Sequence, residues 1–243
     1  MRSTRLPGKA MAPLAGRPLL EHLIERLLSV RELDGWALAT SSAQENEILL
    51  ELARRRGMEA FAGEEEDVLG RHIEVARRFG ADHVVRVTGD NPLTDLGLIR
   101  ELAALHLESG ADYTYVPGDA LLMGILSEVI SLEALELSHR EGAERHRSEL
   151  VTLYIKENPG RFRVTRTELA RELYRPGYRL TVDEPEDLVL MNRIFEELYR
   201  PGQVLETIEA IRLLDAQPEL ARINAHLQHK PANYRSVELD KVR

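Results

Sequence analysis

A chain of 243 residues with 43% apolar side chains has enough material for one large α/β domain or two small ones, and nothing in its composition marks disorder. A formal net charge of −9 argues against general nucleic-acid binding, which needs a basic face, although a local basic cluster can still hold a nucleotide. Cysteine is absent, which excludes disulfides and thiolate chemistry and fits a reducing cytoplasm. Apolar runs fall short of the roughly 18–20 residues of a membrane span, and Arg2 and Arg5 lead into no apolar signal-peptide core. The expectation is a cytoplasmic protein with neither membrane nor nucleic acid among its partners.

The chain opens on Ser3-Thr4-Arg5-Leu6-Pro7-Gly8-Lys9. Residues 18–30 then carry Leu19, Leu20, Leu23, Ile24, Leu27 and Leu28 at helical spacing, with Pro18 suited to the first turn. A buried strand is predicted over 35–40, then a helix over 43–56 capped by Ser42 and stopped at Gly57. A brief strand at 59–62, a helix at 67–79 and a β-branched strand at 83–88 follow. The last ends in the turn signal Gly89-Asp90-Asn91-Pro92. A helix at 96–109 and a strand at 113–116 complete the regular alternation. Beyond residue 121 the rhythm changes: strands are predicted at 127–131, 162–165 and 178–182, and helices at 132–138, 147–157, from 185, and within 203–228. The last fifteen residues are polar and expected to be loosely held.

Strands alternating with helices of 10–15 residues imply βαβ units and a mostly parallel sheet covered on both faces. Ligands of such sheets bind beyond the carboxyl ends of the strands, where Thr40-Ser41 and Gly89-Asp90 are expected. In the opening loop, Gly8 permits close backbone approach and Arg5 and Lys9 set two cations four residues apart, a pattern that suits a polyphosphate. A solvated basic tail explains the same residues more simply. Asp90 suits a phosphate-bound magnesium ion or a cap on the next helix; Asp183, before Glu184-Pro185-Glu186-Asp187, suits the same metal or a helix N-cap. Glu64-Glu65-Glu66-Asp67 reads as a solvated lead into a helix. His226 and His229 have no carboxylates nearby in the sequence to make a metal site.

Taken in order, Ser3–Lys9, the Ala39-Thr40-Ser41 strand end, Glu66-Asp67-Val68-Leu69 with Arg71, Thr88-Gly89-Asp90-Asn91-Pro92-Leu93, Leu180-Thr181-Val182-Asp183-Glu184-Pro185-Glu186-Asp187-Leu188 and Ile223-Asn224-Ala225-His226 cover nearly the whole chain. This series resembles the spore-coat-polysaccharide type of cytidylyltransferase, related to the enzymes that activate acylneuraminates and 3-deoxy-manno-octulosonate with CTP. The resemblance implies a Rossmann-like mixed, mostly parallel sheet of the nucleotide-diphospho-sugar transferase type, and CMP transfer from CTP to a sugar or sugar acid with release of pyrophosphate. It implies that Arg5 and Lys9 hold the triphosphate with Ser3 and Gly8 beside it. Thr40, Ser41 and Thr88 would lie near the nucleoside, and Arg71 near base or ribose. Asp90 and Asp183 would carry Mg²⁺.

Where relatives carry Arg-Glu-His-Val-Thr-Pro this chain has Ser148-Glu149-Leu150-Val151-Thr152-Leu153, and Gly-Leu-Asp-Val-Glu appears as Gly124-Ile125-Leu126-Ser127-Glu128. The acceptor side, with Glu128 and Glu149 as its candidate residues, thus diverges more than the donor side. Use of another NTP, and a nucleotide-binding homologue without catalysis, are the alternative functions. The expected organisation is a nucleotidyltransferase domain over 1–200, with an acceptor and homodimerisation region near 121–157, and a helical extension over 201–243. Relatives also carry an apolar strand of about 5–6 residues just before the opening loop. Here the loop stands at the start, so the sheet is expected to lack its first strand, leaving neighbouring edges unpaired. A longer chain with that strand is expected to be more stable and more active.

Overall fold

The computed structural model describes residues 5–117 and 122–227. The opening loop runs into a small hairpin, β1 (Pro13–Leu14) and β2 (Arg17–Pro18). Its two-residue turn, Ala15 and Gly16, has positive φ at both positions (47° and 79°), as a tight hairpin requires. The sequence pattern did not announce this hairpin. Helix α1 (Leu19–Leu28) follows with Pro18 as its N-cap, burying Leu19, Leu20, Leu23, Ile24 and Leu27 along the predicted stripe.

A βαβ unit comes next. Strand β3 (Ala37–Ser41) and helix α2 (Glu47–Arg55) lead to β4 (Glu59–Gly63), which pairs with β3 in parallel. Ser42 does not cap α2, as the spacing had suggested. Its N–H donates to Gly63 O and extends the β3–β4 ladder, and a 3₁₀ turn over Gln44–Asn46 delays the helix to Glu47. Helix α3 (Val68–Phe79) is capped by Asp67, whose Oδ1 accepts from Gly70 N, and it stops at the left-handed Gly80.

Strand β5 (His83–Arg86), helix α4 (Leu96–Ser109), β6 (Tyr113–Tyr115), β7 (Glu128–Ser131), helix α5 (Leu132–Glu141), helix α6 (Leu153–Glu157) and β8 (Val164–Arg166) build the second half. The sheet order is β5-β7-β6-β8. Strand β7 runs against both β5 and β6, and β8 runs with β6, so three strands share one direction and β7 alone is reversed. The sheet is mixed, as expected, but two of its three ladders are antiparallel, because the reversed β7 sits between β5 and β6. The helix predicted over 147–157 is shorter: a 3₁₀ turn spans Glu144–Arg147, Ser148 Oγ donates back to Arg145 O, and α6 starts only at Leu153. Residues 178–182 form no strand ladder. They run extended, with one parallel bridge between Met123 and Arg179.

The β3–β4 pair and the four-stranded sheet share no ladder. Nevertheless Leu38 of β3 and Val85 of β5 pack on one apolar cluster with Leu20, Leu23 and Ile24 of α1 and Leu96 and Ile99 of α4. Both edges therefore lie over the same helices, and among the described residues no strand bridges them. Helices α7 (Pro185–Leu198), α8 (Thr207–Ala216) and α9 (Pro218–Ala221) close the fold. They share a core with the loop segments: Leu190, Ile194, Ala210 and Leu214 pack with Leu14, Leu93, Leu180 and Val182. The buried guanidinium of Arg26 ties three parts together by donating to Thr94 O, Leu205 O and Thr207 Oγ1.

One core group makes the fold acid-sensitive. His106 is fully buried, its Nδ1 2.8 Å from Thr114 Oγ1 and its Nε2 3.0 Å from His83 Nδ1. Burial, reinforced by His83, pushes its pKa from 6.5 down to about 4. Between pH 6.5 and 4 the unfolded chain therefore binds more protons than the folded one. The stability contributed by neutral His106 is complete above 6.5 and lost as pH falls toward 4. The melting temperature should fall across that window, and less steeply in His106→Gln; equal slopes for the two proteins would refute the assignment.

Candidate active site

The opening loop turns at Gly8, whose φ of 70° and ψ of 13° lie in the left-handed region that costs other residues roughly 1 kcal/mol or more. A 3₁₀ turn over Lys9–Met11 follows, closed by Met11 N donating to Gly8 O. Lys9 Nζ donates to Asp90 Oδ2 and to Asp183 Oδ1, 2.7 Å from each. Arg5 adds a second cation: Nη2 is 3.3 Å from Asp183 Oδ1, and Nη1 donates to Glu184 Oε1 at 3.0 Å. Arg5, Lys9, Asp90 and Asp183, scattered through the sequence, thus form one contact group.

Backbone pairing puts the two aspartates side by side. Val182 N donates to Asp90 O (2.9 Å) and Leu180 N to Met123 O (2.8 Å), so the segment before Asp183 is pinned both to the turn after β5 and to the chain leading into β7. Gly124, with φ 93°, makes this approach possible, because any Cβ there would collide with the backbone of Leu180 and Thr181.

Neither aspartate serves as a helix cap. Asp95 caps α4, its Oδ1 accepting from Leu98 N at 2.7 Å. At α7 the carboxylate that receives the leading amides is Asp187, whose Oδ2 accepts from Asp183 N and Glu184 N, both at 2.9 Å. Asp183 is thereby left to face Lys9. Asp187 is itself held by Arg179 (Nε to Oδ1 2.8 Å, Nη2 to Oδ2 2.9 Å) and by Asn224 Nδ2 at 2.8 Å. Arg179 Nη2 also reaches Asp183 Oδ2 at 3.1 Å.

Charges decide the protonation states. Burial favours neutral forms, yet the carboxylates around Lys9 raise its pKa above the usual 10.5. Likewise burial opposes ionisation of Asp183, but Lys9, Arg5 and Arg179 hold it below the usual carboxylate range. Both groups are charged at neutral pH.

The other predicted residues fall into smaller groups. Ser41 pairs with Gly63 across the β3–β4 ladder, and its Oγ accepts from Asn46 Nδ2 at 2.7 Å. Thr40, one residue earlier, pairs with Ala62. The Arg71 stem packs against the same Gly63, where an added Cβ would stand 2.9 Å from Arg71 Cγ, and its guanidinium donates to the carbonyls of Glu64 and Glu65. Thr88 Oγ1 accepts from Asn91 Nδ2 at 2.7 Å, bracing the turn that carries Asp90. Ser3 lies outside the described residues.

Glu128 is enclosed, with Arg86 Nη1 at 2.9 Å, Tyr113 OH at 2.7 Å and Thr152 Oγ1 at 3.3 Å. Burial would raise its pKa, but Lys156, Arg86 and Tyr113 keep it lowered. Arg86 Nη2 also donates to the Glu149 carbonyl at 2.9 Å, while the Glu149 residue itself is exposed.

Three participants had escaped sequence reasoning. Glu184, Arg179 and Asp187 all contact the site or its supports; Glu184 and Asp187 stood in the matching motif without a role, and for Arg179 the signal was spacing. Arg179, Asp183 and Asp187 recur every four residues, a helical interval that here straddles an extended segment and a helix start.

The mixed α/β sheet that carries this cationic loop and its two facing aspartates has the nucleotide-diphospho-sugar transferase fold. A cytidylyltransferase family profile matches residues 1–225, and the chain belongs to that family. It is 35% identical over 238 residues to the uncharacterized protein MJ1063 of Methanocaldococcus jannaschii, covering 97% of this chain and 95% of that one. To the spore coat polysaccharide biosynthesis protein SpsF of Bacillus subtilis it is 34% identical over 226 residues, covering 91% and 93%. A shorter match, 35% over 109 residues, joins it to the 3-deoxy-manno-octulosonate cytidylyltransferase of Geobacter sulfurreducens, covering 45% and 43%. The fold is shared with a cytidylyltransferase from Leptospira borgpetersenii at a TM-score of 0.85 and 24% identity, covering 94% of this chain and 95% of that one. It is shared at 0.61 and 17% with a CMP:2-keto-3-deoxy-manno-octonic acid synthetase complexed with CTP, covering 80% and 94%. Among the described residues no helix is long and apolar enough to cross a membrane.

The buried Arg179–Asp187 pair carries a prediction. Asp187→Ala leaves a guanidinium that is 5% exposed with only part of its charge matched and frees two amides at the start of α7. Loss of one partner of such a pair costs about 3–5 kcal/mol, which urea unfolding should register. A loss below about 1 kcal/mol would show that the pair is not a main support of the site.

Proposed function

We propose that this cytidylyltransferase transfers CMP from CTP to a hydroxyl of a sugar or sugar acid, releasing pyrophosphate, in the synthesis of a surface polysaccharide precursor. The observation that carries the reading is the convergence of Arg5 and Lys9 on Asp90 and Asp183. The acceptor class is suggested by the relatives named for spore coat polysaccharide and for 3-deoxy-manno-octulosonate.

On this reading, Arg5 and Lys9 bind the triphosphate beside the backbone of Gly8, whose conformation lets a ligand come close. Thr40, Ser41 and Arg71 meet the nucleoside around Gly63, and Thr88 holds the Asp90 turn. Arg86 organises the acceptor side by engaging both the Glu128 carboxylate and the Glu149 carbonyl. The acceptor oxygen attacks the α-phosphorus as the bond to the β-phosphate oxygen breaks, and pre-set cations stabilise the charge on the leaving pyrophosphate.

Asp90 and Asp183 are the residues that would hold Mg²⁺. The fit rests on two facts. An oxygen from each already converges on one cation, the Lys9 ammonium, and both carboxylates are hard oxygen donors. When bound, the ion supplies charge neutralisation on the phosphates.

The test is pyrophosphate release with each NTP in turn against a panel of sugar acids and amino sugars. CTP should be preferred, and Asp90→Asn should lower magnesium-dependent turnover by at least about a hundredfold with the melting transition retained. An unchanged rate in that variant, or equal turnover of all four nucleotides, would remove the reading.

A further inference from the structure

The Lys9 ammonium fills the gap between the two carboxylates that the proposed function gives to the metal. It stands 2.7 Å from Asp90 Oδ2 and 2.7 Å from Asp183 Oδ1, with its side chain only 20% exposed. A magnesium ion about 2.0–2.1 Å from those oxygens needs the same gap, so lysine and metal exclude each other there. At such separations a single and a double positive charge also repel strongly.

We infer that Lys9 is a placeholder for the divalent ion. It closes the carboxylate pair in the nucleotide-free protein and leaves when triphosphate gives its ammonium another partner. The local charges require such a partner. Arg5, Lys9 and Arg179 face Asp90, Asp183, Glu184 and Asp187, three cations against four carboxylates. Arg179 is divided between Asp187 and Asp183, and Arg5 between Asp183 and Glu184. Removing Lys9 without replacement breaks two short charge-assisted bonds and strands its ammonium.

A metal arriving alone must bear that loss. A metal arriving with a triphosphate does not, because the phosphate oxygens receive Lys9 while the carboxylates receive the ion. The four-carbon stem of lysine allows this exchange, since the charge turns about flexible bonds while Gly8 and the 3₁₀ turn hold the backbone. Divalent-ion binding is thereby made conditional on nucleotide. The inference rests on the metal role of Asp90 and Asp183 given above.

The probe is Mn²⁺, followed by its electron paramagnetic resonance signal, with the intact protein and a CTP analogue carrying a methylene bridge between the α- and β-phosphates. Wild type should bind Mn²⁺ weakly alone and at least about tenfold more tightly with the analogue. Lys9→Met, which keeps the stem and removes the charge, should bind Mn²⁺ alone about tenfold more tightly than wild type, with a smaller gain from the analogue. Equal nucleotide-free affinities in the two proteins overturn the placeholder and leave the metal reading standing. Failure of Mn²⁺ to bind wild type even with the analogue overturns both.

A second measurement does not depend on the variant folding. The chain has only four lysines, Lys9, Lys156, Lys230 and Lys241, so side-chain ¹⁵N resonances of lysine-labelled wild type are few. Saturating a diamagnetic divalent ion, Mg²⁺, without nucleotide should shift one ammonium resonance as Lys9 is expelled. Four unmoved resonances at saturation overturn the proposal.

Discussion

Two carboxylates, 81 and 174 residues along the chain from Lys9, share its single ammonium, and much of the molecule is arranged to make that contact possible. Like charges brought together in a half-buried place repel unless cations offset them. Lys9 does so from the opening loop, Arg5 from the same loop, and Arg179 from the segment beneath. The backbone bond from Val182 to Asp90 supplies the geometry that the charges alone do not. It joins the chain after β5 to the chain before α7, so the acidic pair depends on packing as much as on attraction.

The supports of this pair are more buried than the pair itself. Arg179 and Asp187 are 5% and 0% exposed, and Asn224, from the last described turns, seals Asp187 from behind. Replacing such a buried pair by apolar side chains is often neutral for stability, so its presence here is better explained by what it orients. Asp187 takes the amides at the start of α7, which turns the neighbouring Asp183 toward the loop. One carboxylate organises the helix so that another, four residues earlier, is free for the site. The head of β7 is built on the same logic, with Glu128 satisfied by Arg86, Tyr113 and Thr152.

Much of the fold was legible where a pattern was local. The apolar stripe of α1, the helical spacing of α3 and α4, and the β-branched run of β5 each carry their structure within a few residues. Errors arose where local signals competed. Ser42 has the chemistry of a cap but continues a strand ladder, and the 3₁₀ turn over Gln44–Asn46 moves the helix start to Glu47, away from it. Residues 147–157 have helical spacing, yet the Ser148 hydroxyl and a 3₁₀ turn break the first half. The β1–β2 hairpin went unseen because it is only two residues a side, too short for any periodicity.

The sequence by itself determined the period of each long helix and the alternation of strand and helix, since these depend on side-chain types at fixed short spacings; the family it reached by the resemblance of motifs spread along the chain. It left two meanings open for Asp90 and Asp183, cap or site. Only the tertiary structure removed the capping role, by giving that duty to Asp95 and Asp187, and it carried Lys9 across the fold to the other two. The reason is physical: a carboxylate's partner is whichever donor the whole chain brings within about 3 Å, and for donors this distant in sequence that depends on packing.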